Sequence, residues 1–193
     1  MEVLKDLPLD FSRGCSTKKE KEIANQILAE LVEEAYGLDE FYLIGGLTKP
    51  SISLNNRITT TQGRFYPSRN SIEISGYLLK ACMLINDFDA IRGTLRHELA
   101  HWYLFSFKQD YNDGQRDFEE LLIKIDAPSS GATNKKLRLS RETPFLGYMF
   151  EVSCDKCDFK DYSTTRCGKY RHKNCGGHLI DNKMVLVKED WKN

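Results

Sequence analysis

No stretch of this 193-residue chain approaches the roughly 20 consecutive apolar residues that cross a bilayer, and its first residues (MEVLKDLPLDFSRGCSTKKEKE) contain no secretory apolar region. A membrane span is therefore excluded, and a cytoplasmic location is expected. Surplus charge is also missing, because 28 Lys and Arg balance 28 Asp and Glu. That balance argues against a globally basic nucleic-acid binder, while leaving room for a local basic patch. No internal repeat and no low-complexity tract is found. Histidine is scarce, with only four residues, so the position of each one carries weight.

Two of the four fall in His97-Glu98-Leu99-Ala100-His101. On a helix, positions i and i+4 share a face, so His97 and His101 can grip one Zn2+ while Glu98 lies beside the open coordination position as a general base. A chance match in a chain with so few histidines has odds on the order of 1 in 100. The flanking run from Asn86 to Phe107 supports a helix. It has Asn86 or Asp87 as a cap, no proline, and apolar residues Phe88, Ile91, Leu95, Leu99 and Trp102 at threes and fours.

The rest of the chain reads as a mixed fold. Thr17-x-x-Glu20 forms a capping box ahead of an amphipathic run through Ile23, Ile27, Leu28, Leu31 and Val32, which Gly37 can stop. Between Phe41 and Ser75 the short runs FYLIGGL, SISLNNRIT, GRFY and SIEIS, punctuated by Gly and Pro, predict a small antiparallel sheet with hairpin connections. A short helix is expected over Tyr77 to Ile85, and another over Phe118 to Ile125, closed by Pro128. PSSG at 128–131 reads as a loop and KKLRLSR at 135–141 as a solvated basic linker.

Catalytic zinc needs a third protein ligand. Downstream of His101 no histidine occurs before His172, so the residues in reach are Asp110, Asp113, Asp117, Glu119 and Glu120, which composition cannot rank. Six cysteines in a chain expected to stay in the cytosol point to metal or free thiols before disulfides. Cys15 and Cys82 stand alone as plain thiols, while Cys154, Cys157, Cys167 and Cys175 crowd together. Cys154-Asp-Lys-Cys157 has the form of a zinc-ribbon knuckle. The second half-site is either His172 with Cys175, which keeps the two-residue gap, or Cys167 with Cys175, which needs a seven-residue gap.

The pieces NNRITTTQGRFY, NSIEIS, TLRHELAHWYLF and DYNDGQRDFEELL, with Ala127-Pro128 behind them, resemble a SprT-like metalloprotease domain of the compact bacterial type. The resemblance implies a zincin-like α+β core over residues 1–150 followed by a zinc ribbon over 151–193. It implies Asp113 as third ligand of the catalytic zinc, although this chain has an aspartate where the relatives have a histidine. It implies peptide-bond hydrolysis with Glu98 moving the proton, on a protein or peptide substrate paired to a sheet edge, for which Ser71–Ser75 is the candidate. Relatives also end in a ribbon, whose third cysteine is replaced here by His172, giving a structural zinc held by Cys154, Cys157, His172 and Cys175. Arg166, Lys169, Arg171 and Lys173, interleaved with Tyr162 and Tyr170, form a basic stretch suited to DNA. By family analogy the substrate is DNA-associated protein. The rival reading is an inactive scaffold whose ribbon binds nucleic acid.

Overall fold

A computed structural model describes residues 2–7, 14–38, 41, 47–58, 61–129, 145–163 and 165–189. The fold is mixed α+β, and it divides into two compact units: 13–143, and a second unit made of 1–12 together with 144–193. The division thus falls a few residues before the expected boundary at 150, and the N-terminal segment belongs with the C-terminal one. Most of the FYLIGGL run and all of the KKLRLSR linker lie outside the described residues. Among the described residues no helix is long and apolar enough to cross a membrane.

In the first unit, α1 (Lys18–Tyr36) starts where the capping box predicts. The Thr17 hydroxyl accepts the Glu20 N–H at 3.1 Å, and the Glu20 carboxylate accepts the N–H groups of Ser16 and Thr17 at 2.9 Å each. The other Glu20 oxygen meets the largely buried Lys80 ammonium at 2.9 Å. The Thr17 N–H first, and then Lys80, hold the Glu20 carboxyl down at about 2. A carboxyl depressed in this way stabilises the fold above its ordinary value, and the contribution disappears as pH falls from there toward 2. Glu20→Gln is accordingly expected to lower the unfolding free energy by about 1 kcal/mol at neutral pH, a typical cap contribution. Chemical denaturation of both chains should show the gap narrowing as pH falls through that window; a gap independent of pH would refute the account.

Helix α2 (Gly76–Ile85) is capped by Ser75 and closed by Asn86 in the left-handed region, at φ 53°. Helix α3 (Asp89–Ser106) carries the His-Glu-x-x-His run. Asn86 is therefore spent on the preceding helix, and Asp87 only assists the start of α3 by accepting the Asp89 N–H at 3.0 Å. Ile91, Leu95, Leu99 and Trp102 form the buried stripe of α3, and Tyr36 of α1 meets Trp102 edge-on at 6.2 Å. Helix α4 (Arg116–Lys124) follows a short loop, and Ala127 N–H bonds back to the Leu122 carbonyl at 2.8 Å before Pro128.

The sheet of this unit differs from the expected antiparallel one. Its order is β2 (Ser51–Asn55), β4 (Ser71–Ser75), β3 (Gly63–Tyr66). Strand β4 pairs antiparallel with β3 but parallel with β2. Ser71–Ser75 is therefore the central strand and cannot serve as the free edge; its Ile72 and Ile74 are fully buried. The strand lying along α3 is β3. Gly63 permits that approach, since a Cβ there would sit 2.8 Å from Thr94 Cγ2 and 2.9 Å from Glu98 Cγ.

The second unit is a four-stranded sheet in the order β1 (Glu2–Leu7), β7 (Leu179–Glu189), β5 (Phe145–Cys154), β6 (Lys160–Ser163), all pairs antiparallel. Phe150, Val152 and the run Met184–Val187 are buried. The knuckles project from one end of the β5–β7 pair.

Candidate metal centres

Two groups of three or more metal-ligating side chains come together among the described residues: His97 with His101 and Asp113, and Cys154 with Cys157, His172 and Cys175. The first is assembled by α3 and the α3–α4 loop. The two imidazoles share a helix face, with Nε2 atoms 3.2 Å apart, and Asp113 Oδ1 lies 3.2 Å from His97 Nε2 and 3.7 Å from His101 Nε2. Ligands at about 2.0–2.1 Å from a tetrahedral ion stand about 3.3–3.4 Å apart. The donor set therefore fits one zinc ion.

Each imidazole is aimed by its other nitrogen. His97 Nδ1 donates to the Pro128 carbonyl at 2.7 Å, and His101 Nδ1 donates to the Tyr111 carbonyl at 2.5 Å. Those bonds place the protons on Nδ1 and leave Nε2 free to ligate. Burial, and then the proximity of His97, hold His101 down at about 4, so it is the neutral ligand form at neutral pH. Phe118, fully buried on α4, stacks on His101 at 4.2 Å and meets His97 edge-on at 5.1 Å. It fixes both ring planes. Phe118 stood within the resembling stretch, but its packing on the imidazoles is a tertiary contact that no local pattern encodes.

Glu98 is buried beside these donors. Burial raises its carboxyl to about 7, against the pull of His97, of a hydrogen bond from the Phe65 N–H and of Arg64. The remaining acids weighed as ligands fall outside the cluster. Glu120 pairs with Arg116 Nε at 2.7 Å. Glu119 turns inward, where one carboxylate oxygen accepts the Gly114 N–H and the Ser129 hydroxyl, each at 3.2 Å. Asp110 and Asp117 do not join the group.

In the second group Cys154 Sγ lies 3.4 Å from Cys175 Sγ, and His172 Nδ1 lies 3.3 Å from both Cys157 Sγ and Cys175 Sγ. These spacings are a few tenths of an ångström inside the tetrahedral edges of a Zn–S bond of about 2.3 Å, so three thiolates and one imidazole fit a single closed site. Lys156 N–H points at Cys154 Sγ, and Phe159 stacks on the His172 ring at 4.3 Å. Gly177 is needed here because a Cβ would come 2.5 Å from Cys154 Sγ. Cys167 stays apart, with its thiol on the Thr165 carbonyl and its N–H on Asp181. His178 contributes its backbone N–H to Asp155.

A helix-borne His-Glu-x-x-His set joined by a carboxylate, in a mixed α+β unit of zincin-like fold, is a group that could hold a metal ion. The sequence profile of the SprT-like family matches residues 32–138, and the chain belongs to that family. It is 30% identical over 131 residues to a protein of Oceanobacillus iheyensis named "Protein SprT-like", covering 66% of this chain and 79% of the relative. A protein of the same name from Streptococcus sanguinis is 32% identical over 131 residues, 65% of this chain and 79% of that protein. No solved structure matches. The family match ends before the cysteine cluster, so the ribbon rests on its own donor geometry.

Proposed function

We propose that this protein is a zinc-dependent metallopeptidase, with Glu98 as its general base and His97, His101 and Asp113 as the ligands of the catalytic ion. The observation that carries the reading is the convergence of three donors at 3.2–3.7 Å beside a buried Glu98. Bound there, zinc would polarise a scissile carbonyl and make water nucleophilic near neutral pH. Glu98 would take a proton from that water on its carboxylate and return it to the departing amine nitrogen. The Phe65 N–H bond restricts how the carboxylate can turn while it does so.

Strand β3 is the substrate platform in this reading, because it runs beside α3 and, among the described residues, pairs with β4 on one side only. An extended peptide would add as a further strand, and its main-chain bonds would carry it past Glu98. An open depression of ≈ 530 Å³ bordered by Phe105, Lys108, Gln109 and Tyr111 begins one turn of α3 beyond His101. Phe105 extends the His97–His101 stripe by one turn and contacts both Phe65 and Tyr111.

The ribbon supports a second role, contact with nucleic acid. Tyr170 is 52% exposed, the Lys169 ammonium lies 5.1 Å from its ring centroid, and Arg166, Arg171 and Lys173 are nearby in sequence. Cation and stacking platform together suit a single strand. DNA-associated proteins are then the substrates this reading favours.

The ligand assignment is tested by metal content. Asp113→Ala is expected to lose zinc from the core and bind it at least tenfold more weakly, whereas Asp113→His should retain or exceed the original affinity, because imidazole is a good donor to zinc. Full zinc content in Asp113→Ala, with no gain in Asp113→His, would exclude Asp113 as a ligand.

A further inference from the structure

Glu119 is a carboxylate with only 1% of its surface exposed, a costly residue to bury unless its acceptor capacity is used. Its position explains what uses it. The Gly114 N–H that it accepts belongs to the peptide unit immediately following Asp113, in a turn where Gly114 adopts φ 75°. The Ser129 hydroxyl that it accepts belongs to the residue following Pro128, whose carbonyl receives the His97 Nδ1–H. A single oxygen therefore holds the backbone N–H that follows one ligand of the centre and the side-chain hydroxyl that follows the carbonyl aiming another. One lies on the α3–α4 loop and the other is aimed from beyond the end of α4.

We propose that Glu119 is a positioning residue of the metal centre, setting the separation between the Asp113 carboxylate and the His97 imidazole through Gly114 and Ser129. This rests on the ligand assignment of the preceding section. The 3.2 Å gap between Asp113 Oδ1 and His97 Nε2 is the distance it would control. The two anchors are unlike in attachment: His97 is on a long helix, while Asp113 is on a loop held to α3 through Tyr111 and to α4 through the Gly114–Glu119 bond. Without the Gly114 bond the turn can relax and carry the carboxylate away from the imidazoles. Without the Ser129 bond the Pro128–Ser129 peptide can rotate, and the His97 ring loses its aim.

The experiment is metal affinity in the full chain with the cysteine site already filled, comparing the parent with Glu119→Gln, Glu119→Ala and Ser129→Ala. Zinc is titrated against a competing chelator, and Co2+ absorption reports coordination geometry at the thiolate-free site. Outer groups of this kind change metal affinity roughly 10–100-fold. Glu119→Ala, which removes the accepting oxygen, is expected to weaken zinc at least tenfold and to alter the cobalt spectrum, while Glu119→Gln, which keeps an oxygen able to accept both bonds, should stay closer to the parent. Ser129→Ala should act as Glu119→Ala does, to a smaller degree, and Glu119→Ala combined with Ser129→Ala should lose less than the two losses added, since both act through one oxygen. Parent-like affinity and spectra in Glu119→Ala would overturn the proposal, as would a loss that only tracks destabilisation of the metal-free core. A parent chain that takes up metal at the cysteine site alone would instead overturn the ligand assignment itself.

Discussion

Glu98→Gln is expected to reduce peptidase activity by about 10²–10⁴-fold, the range a general base contributes, with the zinc content of the core unchanged. Gln retains an oxygen to accept the Phe65 N–H and fills the same volume between α3 and β3. What it lacks is the ability to hold a proton and pass it on. The same substitution relieves burial of a carboxylate whose pKa is already raised to about 7 by that burial, so thermal stability should hold or increase. The informative combination is therefore lost turnover of a protein or peptide substrate, two equivalents of zinc, and an unchanged or higher melting temperature. Wild-type turnover in Glu98→Gln would remove the proposed base from the mechanism. Lost turnover together with lost zinc would instead make Glu98 part of what holds the ion.

The second large effect belongs to the cysteine cluster. Cys157→Ser should release one equivalent of zinc and make the segment between Cys154 and Leu179 susceptible to protease by on the order of 10²-fold or more, given the roughly 10–16 kcal/mol that structural zinc supplies in small finger peptides. Strands β5 and β7 pair over ten register positions and have buried residues of their own, so cleavage should concentrate in the knuckles and not spread evenly from residue 151 onward. The unit containing α3 should resist as before, because none of its elements takes a ligand from the cluster. Limited proteolysis read by mass spectrometry separates these outcomes. Knuckles as resistant in the variant as in the parent would mean that metal does not hold them.

The helices were legible because each has a local cause. The capping box and Gly37 mark both ends of α1, and apolar residues at threes and fours define α3 and place the two histidines on one face. The sheet was less legible. Alternation in Ser71–Ser75 shows a strand, but it does not say which neighbours the strand has, and a parallel partner at β2 requires a crossover that turn chemistry cannot reveal. Strand β1 was invisible for a related reason: its partner lies in another part of the chain. At the candidate site, spacing supplies His97, Glu98 and His101, whereas among the five acids only the family resemblance singled out Asp113, and its approach to the imidazoles depends on a loop conformation that no local pattern encodes. The split between Cys167 and His172 likewise depends on Asp181, which draws the Cys167 backbone to β7.

The pairing of β1 with β7 has a kinetic consequence. Asp6 and Lys183, joined by a 2.9 Å ion pair, are separated by 177 positions, and the whole of the other unit is encoded between them. Closing so long a loop is entropically unfavourable, and nonlocal strand pairing of this kind slows folding. Until β1 arrives, one margin of β7 offers a row of unpaired amides and carbonyls, the feature by which nascent sheets recruit strands from other molecules. Early in folding the hazard to this protein is thus self-association through β7, and the short N-terminal strand acts as an intramolecular competitor for that margin.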